Sequence, residues 1–177
     1  NLFQQLYTMT DSVIVGRFVG EGALAAVGAS YSLTTVFISI AIGGGVGASV
    51  LTSRYFGAGE YQKLKQSVRT ALTAFLVLSL CLGLFGWFLA PQIMTALNTP
   101  ADVLEQAIVY LRIYFLGLPF LFLYNVFSAM FNALGRSKIP LFLLIFSSVF
   151  NVLLDLVMVC YLGLGIAGVA WATLIAQ

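Results

Sequence analysis

Residues 140–162 read PLFLLIFSSVFNVLLDLVMVCYL, and this stretch decides the fold. Coiled as a helix at about 1.5 Å per residue it reaches roughly 34 Å, enough to cross a hydrocarbon core of about 30 Å. Its single charged residue is Asp155, and Asn151 stands one helical turn before it. A soluble helix of this length would carry charge along one face. This one carries none beyond that carboxylate, so its solvent is lipid.

The rest of the chain has the same character. It has 177 residues, 61% hydrophobic and 8% charged, with a mean hydropathy of +1.04. Soluble domains carry about 25% charged residues. Further apolar stretches predict helices over about 1–19, 29–53, 67–90, 103–134 and 167–177, besides 140–162. The fold class is therefore all-α: a polytopic membrane protein built as a six-helix transmembrane bundle. The chain opens at Asn1 and stops at Gln177 inside helical patterns, and reads as a piece of a longer protein. Pro91 is expected to close the third helix, and Thr99-Pro100-Ala101-Asp102 to start the fourth with Thr99 as N-cap.

Charge placement sets the orientation. Arg54, Lys63, Lys65, Arg69, Arg136 and Lys138, six of the eight basic residues, fall in loops 54–69 and 135–140. The positive-inside rule makes those loops cytoplasmic. A net charge of +2 gives no reason to expect a nucleic-acid partner. The absence of histidine removes the commonest general base and metal ligand. Cys81 and Cys160 sit in apolar runs and read as small packing or lipid-facing residues.

Weak points in the helices are visible as well. The Gly43-to-Gly47 spacing is a GxxxG pattern, expected to allow tight packing within the bundle. Pro119 removes a backbone donor inside the fourth helix and marks a kink or hinge. Asp11-Ser12-Val13-Ile14-Val15 is echoed by Asp155-Leu156-Val157-Met158-Val159, each followed by a GxG loop, a sign of internal pseudo-symmetry.

Asp11 and Asp155 carry the chemistry. They lie roughly 13 Å and 10 Å from the outer ends of their helices. A mid-span aspartate costs about 2.5–3.5 kcal/mol to insert. Such a residue is either a hydrogen-bond anchor between helices or a coupling-ion site, and its neighbours favour the second. Tyr7 precedes Asp11 by four positions and Asn151 precedes Asp155 by four, so each pair shares a helix face. Thr173 enters the sixth helix at a depth close to that of Asp155. Carboxylate, amide and hydroxyl oxygens suit a hard cation such as Na⁺ at Asp155, Asn151 and Thr173. A proton neutralises a buried carboxylate equally well, so both ions remain open.

Several motifs together resemble the N-terminal half of the multidrug and toxic compound extrusion (MATE) transporters. They are Asn1-Leu2-Phe3-Gln4-Gln5-Leu6-Tyr7 leading to Asp11-Ser12-Val13-Ile14-Val15-Gly16, then Ala23-Leu24-Ala25-Ala26-Val27-Gly28, Gly117-Leu118-Pro119-Phe120, Ala133-Leu134-Gly135-Arg136 and Asn151-Val152-Leu153-Leu154-Asp155. The resemblance implies one six-helix lobe of a twelve-helix protein. It also implies a buried network of Tyr7, Asp11, Tyr110, Asn125, Asn151, Asp155 and Thr173. The activity it implies is antiport of organic, often cationic, compounds against H⁺ or Na⁺, with no other cofactor. The implied partners are small-molecule drugs or toxic compounds, the lipid bilayer and a C-terminal lobe, in a bacterial plasma membrane. A flippase for lipid-linked precursors is the rival reading, but its cleft needs basic residues where these spans offer carboxylates. An intramembrane enzyme lacks a nucleophile motif here, and a channel would set its carboxylates in a ring.

Overall fold

A computed structural model describes residues 9–10 and 12–177. Six helices run in chain order. α1 is helical at 9–10 and 12–14 and ends in a π-helical stretch, Val15–Val19. α2 spans Glu21–Gly57, α3 Tyr61–Ala96 and α4 Ala101–Ala133. α5 spans Lys138–Asp155 and continues as a π-helical segment, Leu156–Tyr161; α6 spans Gly165–Ala176. Among the described residues four helices are long and apolar enough to cross a membrane: α2, α3, α4 and α5 with its extension.

α4 is the centre of the bundle. Its buried positions Val103, Ala107, Leu111, Phe115, Leu118, Phe122, Val126 and Met130 recur every three or four residues and form one large apolar stripe. The partners that receive it are lined with small residues. α2 buries Ala23, Ala26, Ser30, Thr34, Ala41, Gly45, Ala48 and Thr52, and α3 buries Ser79, Gly83, Gly86, Ala90 and Met94. Lipid is as apolar as leucine, so packing rather than water exclusion must hold membrane helices together. Large side chains seated against small-residue faces provide that packing. The hydroxyls on these faces are satisfied within their own helices: Ser30 Oγ donates to the Ala26 carbonyl at 3.0 Å and Thr52 Oγ1 to the Ala48 carbonyl at 2.8 Å. The outer surface is inverted relative to a soluble protein, with Phe85, Phe88, Phe142 and Phe146 each more than two-thirds exposed.

The glycines act differently from the GxxxG expectation. Gly43 and Gly47 face open space, and the close approaches belong to Gly44 and Gly45. A Cβ on Gly45 would lie 2.9 Å from the Asn125 carbonyl oxygen. The four-residue spacing in the sequence is real, but helix rotation puts the neighbouring pair against α3 and α4.

Gly83 and Pro119 form one joint between α3 and α4. Pro119 has no N–H, so the Phe115 carbonyl one turn earlier loses its helical donor. A Cβ on Gly83 would lie 2.8 Å from that same oxygen. The glycine hydrogen occupies this direction instead, bringing a Cα–H toward the freed carbonyl.

Three local expectations are corrected. Pro91 does not end α3, which continues through it to Ala96; proline costs the helix one donor, and the Thr95 hydroxyl ties the next turn by donating to the Pro91 carbonyl at 2.9 Å. Thr99 does not cap α4. Pro100 is the N-cap without a side-chain cap bond, and the Thr99 hydroxyl turns to the Met94 sulfur at 3.8 Å. The segment 54–69 is not a loop: α2 runs to Gly57, α3 starts at Tyr61, and Gly59 at φ 71° makes the turn. Helices have no need to stop where apolar residues do, because polar side chains extend them beyond the hydrocarbon. Cys81 and Cys160 are exposed, unbridged and on apolar surface.

Candidate functional site

α5 carries a polar stripe on its inward face. Ser147, Asn151 and Asp155 are spaced four residues apart, which keeps them on one side of the helix. Asn151 is 1% exposed and Asp155 is fully buried. α6 crosses this stripe and brings Thr173 to Asn151, whose amide nitrogen stands 3.4 Å from Thr173 Oγ1. Thr173 Oγ1 itself donates to the Val169 carbonyl at 3.0 Å.

The Asn151 amide can be placed in two ways, and the donors and acceptors around it favour the first. In one, its nitrogen donates to Asp155 Oδ2 at 3.0 Å and its oxygen accepts from the Thr173 backbone N–H at 3.1 Å. A carboxylate can only accept, so this orientation suits ionised Asp155. In the other, the amide oxygen faces Asp155 and the nitrogen faces Thr173 Oγ1. That placement sets the amide oxygen against the carboxylate and the nitrogen against the Thr173 N–H, so the first is the better satisfied.

Other predicted residues fall into place unevenly. Tyr110 lines a small cavity with Thr173, Tyr114, Gly117 and Ala170, linking α4 to the α5–α6 pair. Among the described residues the Asn125 amide donates to the Leu121 carbonyl of its own helix at 2.8 Å. The rotation of α4, unreadable from sequence, points it there. Pro119 lies within α4. Tyr7 and Asp11 lie outside the described residues.

Sequence reasoning missed Ser147, whose hydroxyl donates to the Ala176 carbonyl at 2.6 Å and ties α5 to α6. The signal was present, since extending the four-residue spacing back from Asn151 reaches it. A cavity of about 390 Å³ opens beside these residues, lined in part by Tyr124, Ser147, Phe150, Asn151 and Thr173. The π-helical ends were missed too. Gly20 N–H reaches the Val15 carbonyl at 3.1 Å and Leu162 N–H the Val157 carbonyl at 3.0 Å, both across five residues. Such wide turns recur at functional sites. They give the aspartate echo a structural counterpart, because both echoed stretches end in a π-helical turn before a positive-φ glycine, Gly20 and Gly163.

Apolar helices with phenylalanines outside, small residues at the joints and a carboxylate sealed in the interior define a polytopic α-helical integral membrane protein. More narrowly, a family model described as MatE matches residues 1–157, and the chain belongs to that family. Its members are transporters, not enzymes. The chain is 35% identical to "Probable multidrug resistance protein YoeA" of Bacillus subtilis, over 99% of this chain and 39% of that protein. Two solved structures show an outward-facing and an inward-facing conformation of a multidrug resistance MATE family transporter of the MOP superfamily. Each matches with a TM-score of 0.91 at 26% identity, covering 98% of this chain and 38% and 39% of theirs. The chain thus spans about two-fifths of the length of the relatives it matches.

Proposed function

We propose that this chain is the ion-coupling lobe of a drug efflux antiporter in a bacterial plasma membrane, with the basic α2–α3 junction (54–69) and the 135–140 turn on the cytoplasmic side. The observation that carries the reading is the buried pair Asp155 and Asn151 on α5 with Thr173 of α6 beside it. A buried carboxylate flanked by amide and hydroxyl oxygens is a site that a proton or Na⁺ can neutralise. Asp11, with Tyr7, supplies the second carboxylate, and Tyr110 extends the network toward α4.

The Asn151 amide gives the ion a mechanical consequence. With Asp155 ionised, the amide nitrogen holds the carboxylate and the oxygen holds the α6 backbone. When a proton or cation arrives, it competes with the amide nitrogen for the carboxylate and weakens that tie. Ion occupancy is thereby converted into a changed contact between α5 and α6. A ligand shifts such an equilibrium only by its differential affinity for the two states, and this competition provides a difference. The equal likeness to outward- and inward-facing structures supports a lobe that moves largely as a unit against its C-terminal partner. An organic cation or other amphipathic compound would occupy the cleft between the lobes and leave when the ion binds.

Full-length transporter in proteoliposomes tests this, with proton and Na⁺ gradients imposed separately. Drug efflux driven by one gradient, and abolished in Asp155→Asn without loss of expression, is the expected result. Undiminished gradient-driven efflux by Asp155→Asn and Asp11→Asn would sink the coupling site. Movement of a pyrophosphate-linked lipid without drug efflux would replace it with the flippase reading.

A further inference from the structure

On the outer surface of the bundle, away from the carboxylate cluster, α3 and α4 leave a groove of about 260 Å³. Its walls are Leu80, Leu84, Trp87 and Phe88 from α3 and Leu116 and Pro119 from α4. Leu84 and Phe88 are 62% and 72% exposed, so the groove opens to the lipid side. From Trp87 to Leu80, or from Arg112 to Pro119, is seven residues, roughly 10 Å along the helix axis. That length covers most of one leaflet's share of a 30 Å hydrocarbon core.

Arg112 stands beside Trp87, a wall of this groove. Its guanidinium lies over the Trp87 ring at 5.7 Å from the centroid. Among the described residues its buried Nε has no hydrogen-bond partner and Arg112 forms no ion pair. Nε is sealed from outside, so a phosphate would meet the other N–H groups of this half-buried guanidinium, as a charge-assisted pair. Tryptophan at this position fits the headgroup level of a bilayer, where indole rings concentrate. Seven residues outward on the same exposed face of α4 stands Glu105, solvent-facing. Reading outward from lipid, the stripe is apolar, then cationic, then anionic.

We propose that this groove binds a phospholipid with an amine-bearing headgroup, its phosphate on Arg112, its ammonium toward Glu105 and one acyl chain between Leu84, Phe88, Leu116 and Pro119. The charge order selects the class. Arg112 alone would accept any phosphate, but Glu105 beyond it repels a headgroup that ends in negative charge and attracts one that ends in an ammonium. Gly83 and Pro119 shape the groove: the first contributes no side chain at its floor, and the second has no backbone donor to hide from lipid.

Native mass spectrometry of the purified full-length transporter tests the site, with phosphatidylethanolamine, phosphatidylcholine and phosphatidylglycerol supplied in equal amounts. The wild type is expected to retain phosphatidylethanolamine in preference to the other two. R112Q should weaken that retention about tenfold or more, as expected for a lost charge-assisted hydrogen bond, and R112K should restore part of it. E105Q should keep binding but lose the headgroup preference. L116W, which fills the groove, should lose all three lipids while eluting as a single species like the wild type. Equal retention by wild type, R112Q and L116W would overturn the site. Absence of any retained lipid in the wild type, as when the second lobe covers the groove, would overturn it as well. A wild-type preference for phosphatidylglycerol would overturn the ammonium assignment.

Discussion

Replacing Gly83 by alanine adds one methyl group where α3 packs directly against the backbone of α4. The new Cβ would stand 2.8 Å from the Phe115 carbonyl oxygen. That atom is backbone and cannot rotate away, so the helices must separate by several tenths of an ångström. Overpacking of this kind costs about 1–3 kcal/mol. Alanine also repays part of it, because glycine in a helix interior is less favourable by about 0.8–1 kcal/mol. The control is Gly47→Ala, where nothing lies within 4 Å of the added methyl. That variant should gain the propensity term alone. The two substitutions are chemically identical, so their difference isolates the α3–α4 contact at about 1–3 kcal/mol. Thermal unfolding of the full-length protein in detergent, followed by fluorescence-detected size exclusion, reads the comparison. A double-mutant cycle probes the cause further. Pro119→Ala returns an N–H to the Phe115 carbonyl and draws it back into its own helix. Gly83→Ala should then cost less, with a coupling of about 0.5–3 kcal/mol for groups in contact. Equal melting of Gly83→Ala and Gly47→Ala, or strict additivity with Pro119→Ala, would refute the joint.

Four further outcomes are expected. Phe115→Ala should destabilise by about 3–5 kcal/mol in the same melting assay, because this fully buried ring fills the face left by Gly86 and packs edge-on against Phe37 at 5.3 Å. Thr173→Val, which keeps shape and removes the hydroxyl, should weaken Na⁺-driven efflux more than Thr173→Ser; indifference of Na⁺-driven transport to both would exclude the hydroxyl as a ligand. Asn151→Leu should uncouple efflux from the ion gradient while leaving the protein folded, and infrared difference spectra on ion addition should lose an amide side-chain band. Asp155→Asn should make efflux insensitive to the gradient that drives the wild type, measured in proteoliposomes at matched expression.

The spans were legible because the bilayer imposes a length and excludes charge, and both constraints are written residue by residue. The pairing of Asn151 with Asp155 was legible for a similar reason, since a four-residue spacing fixes a shared helix face whatever surrounds it. Depth could be counted from helix ends, which brought Thr173 into consideration. Rotation about each helix axis could not be counted. That is why Gly43 and Gly47 face open space while Gly44 and Gly45 meet Phe75 and Asn125.

The amino-acid sequence by itself determined that this chain is a set of apolar helices harbouring isolated carboxylates, because lipid tolerates little else. Only the tertiary structure decided which helix is central, and that Pro119 frees the carbonyl Gly83 must accommodate. It gave the Asn151–Thr173 contact its geometry, an amide nitrogen 3.4 Å from a hydroxyl across 22 residues, and it set Arg112 over Trp87, a wall of a lipid-facing groove. These depend on the rotation and crossing of helices, which are set by the packing of every side chain together and by no single stretch of chain.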